Sequence, residues 1–165
     1  MIIFILSTQN EQNGQHMAYW LFKTEPDTFS IDDLKVAGKQ GTFWEGVRNY
    51  QARNFLRDNV KLNDLVFIYH SSCKVPAIVG IGKVITAAQP DPYQFNNKSD
   101  YFDSKASIQN PRWYGVTLEY VKHLQPISLA DIKADPRITE LALKKASRLS
   151  IMPVTENEWQ LLNPS

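Results

Sequence analysis

Bulky residues crowd the segment Ala-Tyr-Trp-Leu-Phe-Lys-Thr from Ala18 to Thr24, and Glu25-Pro26-Asp27 closes it, which predicts a strand followed by a turn. Ser30 with Asp33 three residues on is a helix-opening box, and the helix should stop near Gly38. Asn49 is placed to cap a second helix from Tyr50 to about Asp58. Its buried side would carry Ala52, Phe55 and Leu56, with Arg53 and Arg57 one turn apart on another side. The nearly continuous apolar run from Asp64 to Ser71 suits a strand covered on both faces. A further strand is predicted over Ala77–Val84, where Gly80 and Gly82 point to sharp curvature or close backbone packing. From Trp113 to Val121 the pattern alternates, placing Tyr114, Val116, Leu118 and Tyr120 on the core face and Trp113 on the other. Ser128–Asp131 and Thr155–Glu158 open two more helices, the second carrying Trp159, Leu161 and Leu162. Between them Ile138–Ala146 reads as helical and Leu149–Val154 as extended. The polar stretch Gln89–Pro111, rich in Pro and Asn, is long enough for a loop to be functional.

This order predicts an α+β fold: a small curved mixed sheet or partial barrel with flanking helices, lacking the regular alternation of a doubly wound sheet. At 165 residues, one domain is expected, large enough to need no metal or disulfide staple. The domain should run over 18–165. Residues 7–16 are polar and read as linker, and Met1–Leu6 is too short and lacks the basic flank of a signal peptide. Residues 1–17 are therefore expected to be a disordered extension, with Met17 an alternative start. Cys73 is the only cysteine, which excludes an internal disulfide and a multi-cysteine zinc site. No metal or cofactor is expected, and no stretch is apolar enough to span a membrane. A reducing cytoplasmic compartment, or the nucleus in a eukaryote, fits this composition.

Net charge is +1, so any binding to nucleic acid must use local patches rather than a global positive field. Trp44–Arg57 carries Arg48, Arg53 and Arg57 against Glu45. Lys133–Arg148 carries Lys133, Arg137, Lys144, Lys145 and Arg148 against Asp135 and Glu140. Solvated helix faces would look the same. Phosphate-loop, nucleophile-elbow and zinc-protease motifs are absent. Tyr69-His-Ser-Ser-Cys73 sets His beside Ser and Cys, but neighbours on a strand face opposite ways, so His70 and Ser71 cannot form a dyad. Trp44-Glu-Gly-Val-Arg-Asn-Tyr50 is the richest segment. It gathers stacking, forking and amide side chains just before a helix N-terminus, where free N–H groups favour an anion or carbonyl oxygen. A turn in which Asn49 caps and Trp44 merely packs accounts for it equally well.

The segments Tyr19–Pro26, Trp44–Leu56, Tyr69–Ser72, Ser99–Asp103, Trp113 and Arg148–Ile151 with Pro153-Val154 occur in an order that resembles the EVE-domain family, of the thymocyte nuclear protein type, in the PUA-like superfamily. The resemblance covers the chain from Ala18 onward. It implies a PUA-like β-pseudo-barrel with flanking helices and a non-catalytic module that binds a modified base in DNA or RNA. Carried onto this chain, the base-pocket residues are Trp20, Lys23, Trp44, Val47, Arg48, Asn49, Tyr69, His70, Ser71, Ser72, Arg148, Leu149 and Ser150. Trp44, with Trp20, is expected to supply the stack, and Asn49 with Ser71 or Ser72 to read the base edge. Arg53, Arg57, Lys144 and Lys145, with Arg48 and Arg148, are candidates for phosphate contact. Two rivals remain open: a hydrolase or base-modifying enzyme using His70 with Asp103 or Cys73, and a module for peptides or small molecules.

A chain beginning at Met17 is expected to keep the melting temperature and ligand affinity of the full one. A large fall in either, in thermal melts and binding titrations, would show that the first sixteen residues belong to the domain.

Overall fold

A computed structural model of the chain describes residues 17–145 and 148–165; the expected linker over 7–16 lies outside them. A six-stranded mixed sheet curls into a half-barrel with short helices around it. Its strands are β1 (Tyr19–Thr24), β2 (Thr42–Phe43), β3 (Leu65–His70), β4 (Ala77–Val84), β7 (Thr117–Ser128) and β8 (Ile151–Val154), in the order β2-β7-β4-β3-β1-β8. β1 and β3 run parallel, and the other pairs are antiparallel. Two short strands, β5 (Gln89–Pro90) and β6 (Tyr114–Gly115), pair outside this sheet. The helices are α1 (Ile31–Val36), α2 (Tyr50–Asp58), α3 (Leu129–Ala134) and α4 (Glu156–Leu162).

Each helix begins where a side-chain oxygen takes an otherwise orphaned backbone N–H. Ser30, Asn49, Ser128 and Thr155 accept from Asp33, Ala52, Asp131 and Glu158 respectively. The curl has local causes. The β4–β7 ladder slips register between Ile78 and Gly80 and again between Ile81 and Gly82, and each slip bends and twists the sheet. Gly80 also lets α1 close on the sheet: a Cβ there would lie 2.7 Å from Ile31 Cδ1 and from the Lys122 carbonyl oxygen. The core is continuous from Leu21 and Phe22 on β1 through Phe67 and Ile68 on β3 to Leu118 on β7 and Ile151 on β8, closed by Leu56 of α2 and Trp159 of α4. Trp159 stacks on Phe67 at 3.9 Å and on Tyr19 at 4.5 Å.

Where the pattern promised a helix over Ile138–Ala146, the described part holds only a 3₁₀ turn at Ala142–Lys145; Ala146 lies outside it. The backbone here satisfies its hydrogen bonds by other means. Buried Glu158 accepts from the N–H groups of Glu140 and Leu141, and Lys144 Nζ donates to the carbonyls of Asp135 and Ile138. The alternating segment also differs in detail. Val116 and Leu118 are fully buried, whereas Tyr114 and Tyr120 are half-buried, and the pairing breaks at Val116, whose carbonyl takes the Trp44 N–H. Trp113 is buried as well, but outside the main core.

Trp44 is packed like Trp159: 7% exposed, its ring tilted on Phe22 at 5.7 Å and edge-on to Phe29 at 5.9 Å. Trp44→Ala and Trp159→Ala are therefore both expected to cost about 3–5 kcal/mol in denaturant unfolding. A near-wild-type midpoint for Trp44→Ala would show that its ring does not support the fold.

Candidate nucleic-acid interface

The C-terminal end of β1, the turn before α1, strand β2 and residues 44–49 surround a cavity of about 520 Å³, within the usual range for ligand pockets. Of the residues expected there, Lys23, Trp44, Val47, Arg48, Asn49, Arg148 and Ser150 line it. The others lie elsewhere for visible reasons. Trp20 points into the core, where its indole N–H donates to the buried carboxylate of Asp64 at 2.9 Å, so it cannot stack on a ligand. Tyr69 and Leu149 are core residues. His70 ends β3 and Ser71 and Ser72 follow it, outside the lining; Ser71 N–H donates to the carbonyl of Thr24, which does line the cavity. Lining residues that pattern alone did not indicate are Thr24, Glu25, Thr28, Phe29, Thr42, Phe43, Glu45, Gly46 and Tyr101. Tyr101 stood within a recognised segment, and Glu45 and Gly46 within the richest one.

Arg48 organises the rim. One Nη donates to buried Asp91 at 2.9 Å, and Nε and the other Nη hold the Tyr101 carbonyl at 3.1 and 2.8 Å. Asp91 also accepts the Gly46 N–H at 2.9 Å and the Tyr93 N–H at 2.9 Å. Gly46 has φ +80°, and a Cβ there would lie 2.6 Å from the Tyr101 ring. Only glycine permits both the left-handed turn and the approach of Tyr101. The long segment between β5 and β6 is thus pinned over residues 44–49. Within it, buried Gln94 donates to the carbonyls of Asp91 and Trp113 and accepts from the N–H groups of Arg112 and Trp113, so its amide is fully used. Arg48 is consequently an internal clamp, and its forked donors are already committed.

The capping bond fixes what Asn49 can offer. Its Oδ1 is occupied by the Ala52 N–H at 3.0 Å, while Nδ2 has no protein partner among the described residues. Asn49 therefore has its Nδ2 donors unbonded, while the cap takes one of the two acceptor sites of Oδ1. Glu45 supplies the complementary acceptor. Burial and the neighbouring Asp91 raise its carboxyl above the usual carboxylate value, against a Tyr93 hydrogen bond and the charge of Arg48. Burial also holds the Lys23 ammonium below its ordinary range.

The expected phosphate ligands divide. Arg57 pairs with Asp58 at 2.7 Å on an exposed face, and Lys145 is exposed. Lys144 is occupied by the two carbonyls it caps, so it braces a turn. Arg53 lies against the Tyr50 ring, 4.9 Å from its centroid, and holds the Arg112 carbonyl at 2.8 Å. The proposed partners of His70 are engaged elsewhere. His70 Nε2 accepts the Ile31 N–H at 3.1 Å, Asp103 receives Trp113 Nε1–H at 2.8 Å and pairs with Arg112, and the Cys73 thiol turns back to the His70 carbonyl. Burial and nearby His123 keep the His70 imidazole below its ordinary pKa, opposed by Asp32.

Residues 18–163 match the model of the EVE domain. The chain belongs to the EVE domain family. Chicken (Gallus gallus) thymocyte nuclear protein 1 is 43% identical over 92% of this chain and 70% of its own length. The crystal structure of the human protein in complex with 5-methylcytosine-containing DNA superposes with a TM-score of 0.83 at 38% identity, covering 87% of this chain and 94% of that one. A Pseudomonas syringae protein is 44% identical with the same TM-score, over 87% of this chain and 96% of its own. The expected PUA-like half-barrel is thus the family's fold. No helix among the described residues of this EVE-domain chain is long and apolar enough to cross a membrane.

Arg48→Ala is expected to cost about 3 kcal/mol, the low end for breaking a buried pair, because two backbone N–H groups still hold Asp91. Urea melts check this. A loss below 1 kcal/mol would show that the long segment is held without the clamp.

Proposed function

We propose that the chain binds DNA carrying a modified cytosine and holds that base, swung out of the helix, in the cavity beside Trp44 and Asn49. The observation that carries this reading is the unbonded Nδ2 amine that the helix cap leaves on Asn49 at the cavity. Cytosine offers two acceptors, N3 and O2, next to one donor, its N4 amine. Asn49 Nδ2 matches the acceptors and the Glu45 carboxylate matches the amine. Val47, Phe29 and the cavity-facing edge of Trp44 supply apolar wall for a 5-methyl group. The human relative's complex with 5-methylcytosine-containing DNA supports the choice of base and of DNA. Swinging a base out costs a few kcal/mol, which contact with the apolar wall and edge hydrogen bonds would recover. In this reading the chain recognises and does not catalyse, and its polar cavity groups serve as donors and acceptors only.

Asn49→Asp separates the two duties of that residue, because it keeps the capping oxygen and removes the amide donors. Its melting temperature should hold while affinity for a 5-methylcytosine duplex falls by about 1–3 kcal/mol. Cytosine duplexes and the matching RNA serve as comparison strands. Protonation removes the charge that makes Glu45 a strong acceptor, and its pKa is raised, so affinity should start to drop on acidification at a higher pH than an ordinary carboxylate dictates. Glu45→Gln should flatten that part of the profile. Unchanged affinity in Asn49→Asp would contradict the assignment.

A further inference from the structure

Away from the cavity, the residues that follow Asn49 build a second surface. Tyr50 opens α2 and remains 51% exposed. Its ring stacks on buried Trp113 at 5.1 Å and 27°, and Trp113 is fixed in turn by the hydrogen bond from Nε1 to Asp103. The Arg53 guanidinium stands 4.9 Å from the Tyr50 centroid and that of Arg112 stands 5.7 Å away, with Arg112 bonded to the Tyr50 hydroxyl. Arg48 lies between Trp113 and Tyr101, 5.4 and 5.3 Å from their rings. Contacts therefore run from Tyr101 at the cavity through Arg48 and Trp113 to Tyr50 in solvent.

Charge along this stack is uneven. Arg48 is neutralised by Asp91 and Arg112 by Asp103. Arg53 makes no ion pair among the described residues, though its charge reaches Asp58; its donors go to Asn54 Oδ1 and the Arg112 carbonyl. An exposed aromatic ring thus sits beside a cation without an ion pair that is already held in place, so little rotamer freedom remains to be lost on binding. A base face and a phosphate, one nucleotide's spacing apart, have the matching chemistry.

We propose that Tyr50 and Arg53, braced by Trp113 and Arg112, grip the nucleic-acid strand next to the captured base, by stacking and phosphate contact that carry no base information. This rests on the base-pocket reading above, and assigns the strand a path from Tyr101 along the stack to α2. It also gives Trp113 a role the cavity does not: it is the fixed underside of the platform.

The test uses the full chain and two duplexes that differ only in one 5-methylcytosine in place of cytosine, titrated at two salt concentrations. Tyr50→Ser and Arg53→Gln should each weaken both duplexes about tenfold and leave the ratio between them unchanged. Arg53→Gln should also reduce the salt slope by about one. Tyr50→Phe, which keeps the ring, should bind like wild type; melting curves show that each variant is folded, and Arg53→Gln carries the test if Tyr50→Ser is not. Wild-type affinity in folded Tyr50→Ser and Arg53→Gln overturns the platform and leaves the pocket standing. A changed ratio with unchanged salt slope places these residues in base recognition and also overturns it. Failure of the wild-type chain to bind either duplex overturns platform and pocket together.

Discussion

The ion pair between Arg48 and Asp91 is the constraint on which the site depends. Asp91 begins a long segment that folds on no regular ladder, and Arg48 lies two residues beyond a left-handed glycine. Neither segment has a reason of its own to adopt its observed path. With Asp91 fully buried, its charge demands partners, and it finds them in Arg48, the Gly46 N–H and the Tyr93 N–H. The same guanidinium holds the Tyr101 carbonyl, so one residue sets both the floor and the rim of the cavity. Ordering a segment of that length opposes folding through its lost conformational entropy. Buried hydrogen bonds offset that cost: Gln94 uses its whole amide, and Trp113 uses its indole N–H.

In the proposed reading, recognition rests on how the helix cap and the cavity share Asn49. A free asparagine amide offers donors and acceptors alike. With its oxygen turned to the Ala52 N–H, the donor end is the one left unbonded, so the cap that starts α2 would bear on specificity as well. In that reading the polar edge selects cytosine, and the apolar wall alone, which yields only modest discrimination by fit, distinguishes its methylated form.

Local signals were legible in the chain. Each helix start rests on a side chain within three residues of its partner, so Ser30, Asn49, Ser128 and Thr155 were readable from spacing alone. The strands Ala77–Val84 and Leu65–His70 were visible for the same reason, as were residues 44–49 of the cavity. Long-range choices were not. Nothing near Trp20 announces that Asp64 will take its indole N–H, and nothing near Lys144 announces that it will cap Asp135 and Ile138. Trp44 and Trp113 look alike as sequence. Only their neighbours decide that Trp44 packs with Phe22 and Phe29 while Trp113 backs Tyr50. The wall from Thr24 to Phe29 also escaped, because turn residues acquire a lining role only when β2 and the residues leading into β8 arrive beside them.

Base capture is the central claim, and a crystal structure of the chain with a duplex holding one 5-methylcytosine tests it most directly. The account places the methylated base outside the stack and inside the cavity. Its methyl group should lie against Val47, Phe29 and Trp44, and an edge acceptor within hydrogen-bond distance of Asn49 Nδ2. A methylated base still paired within the duplex, with the cavity holding none of it, would contradict that account.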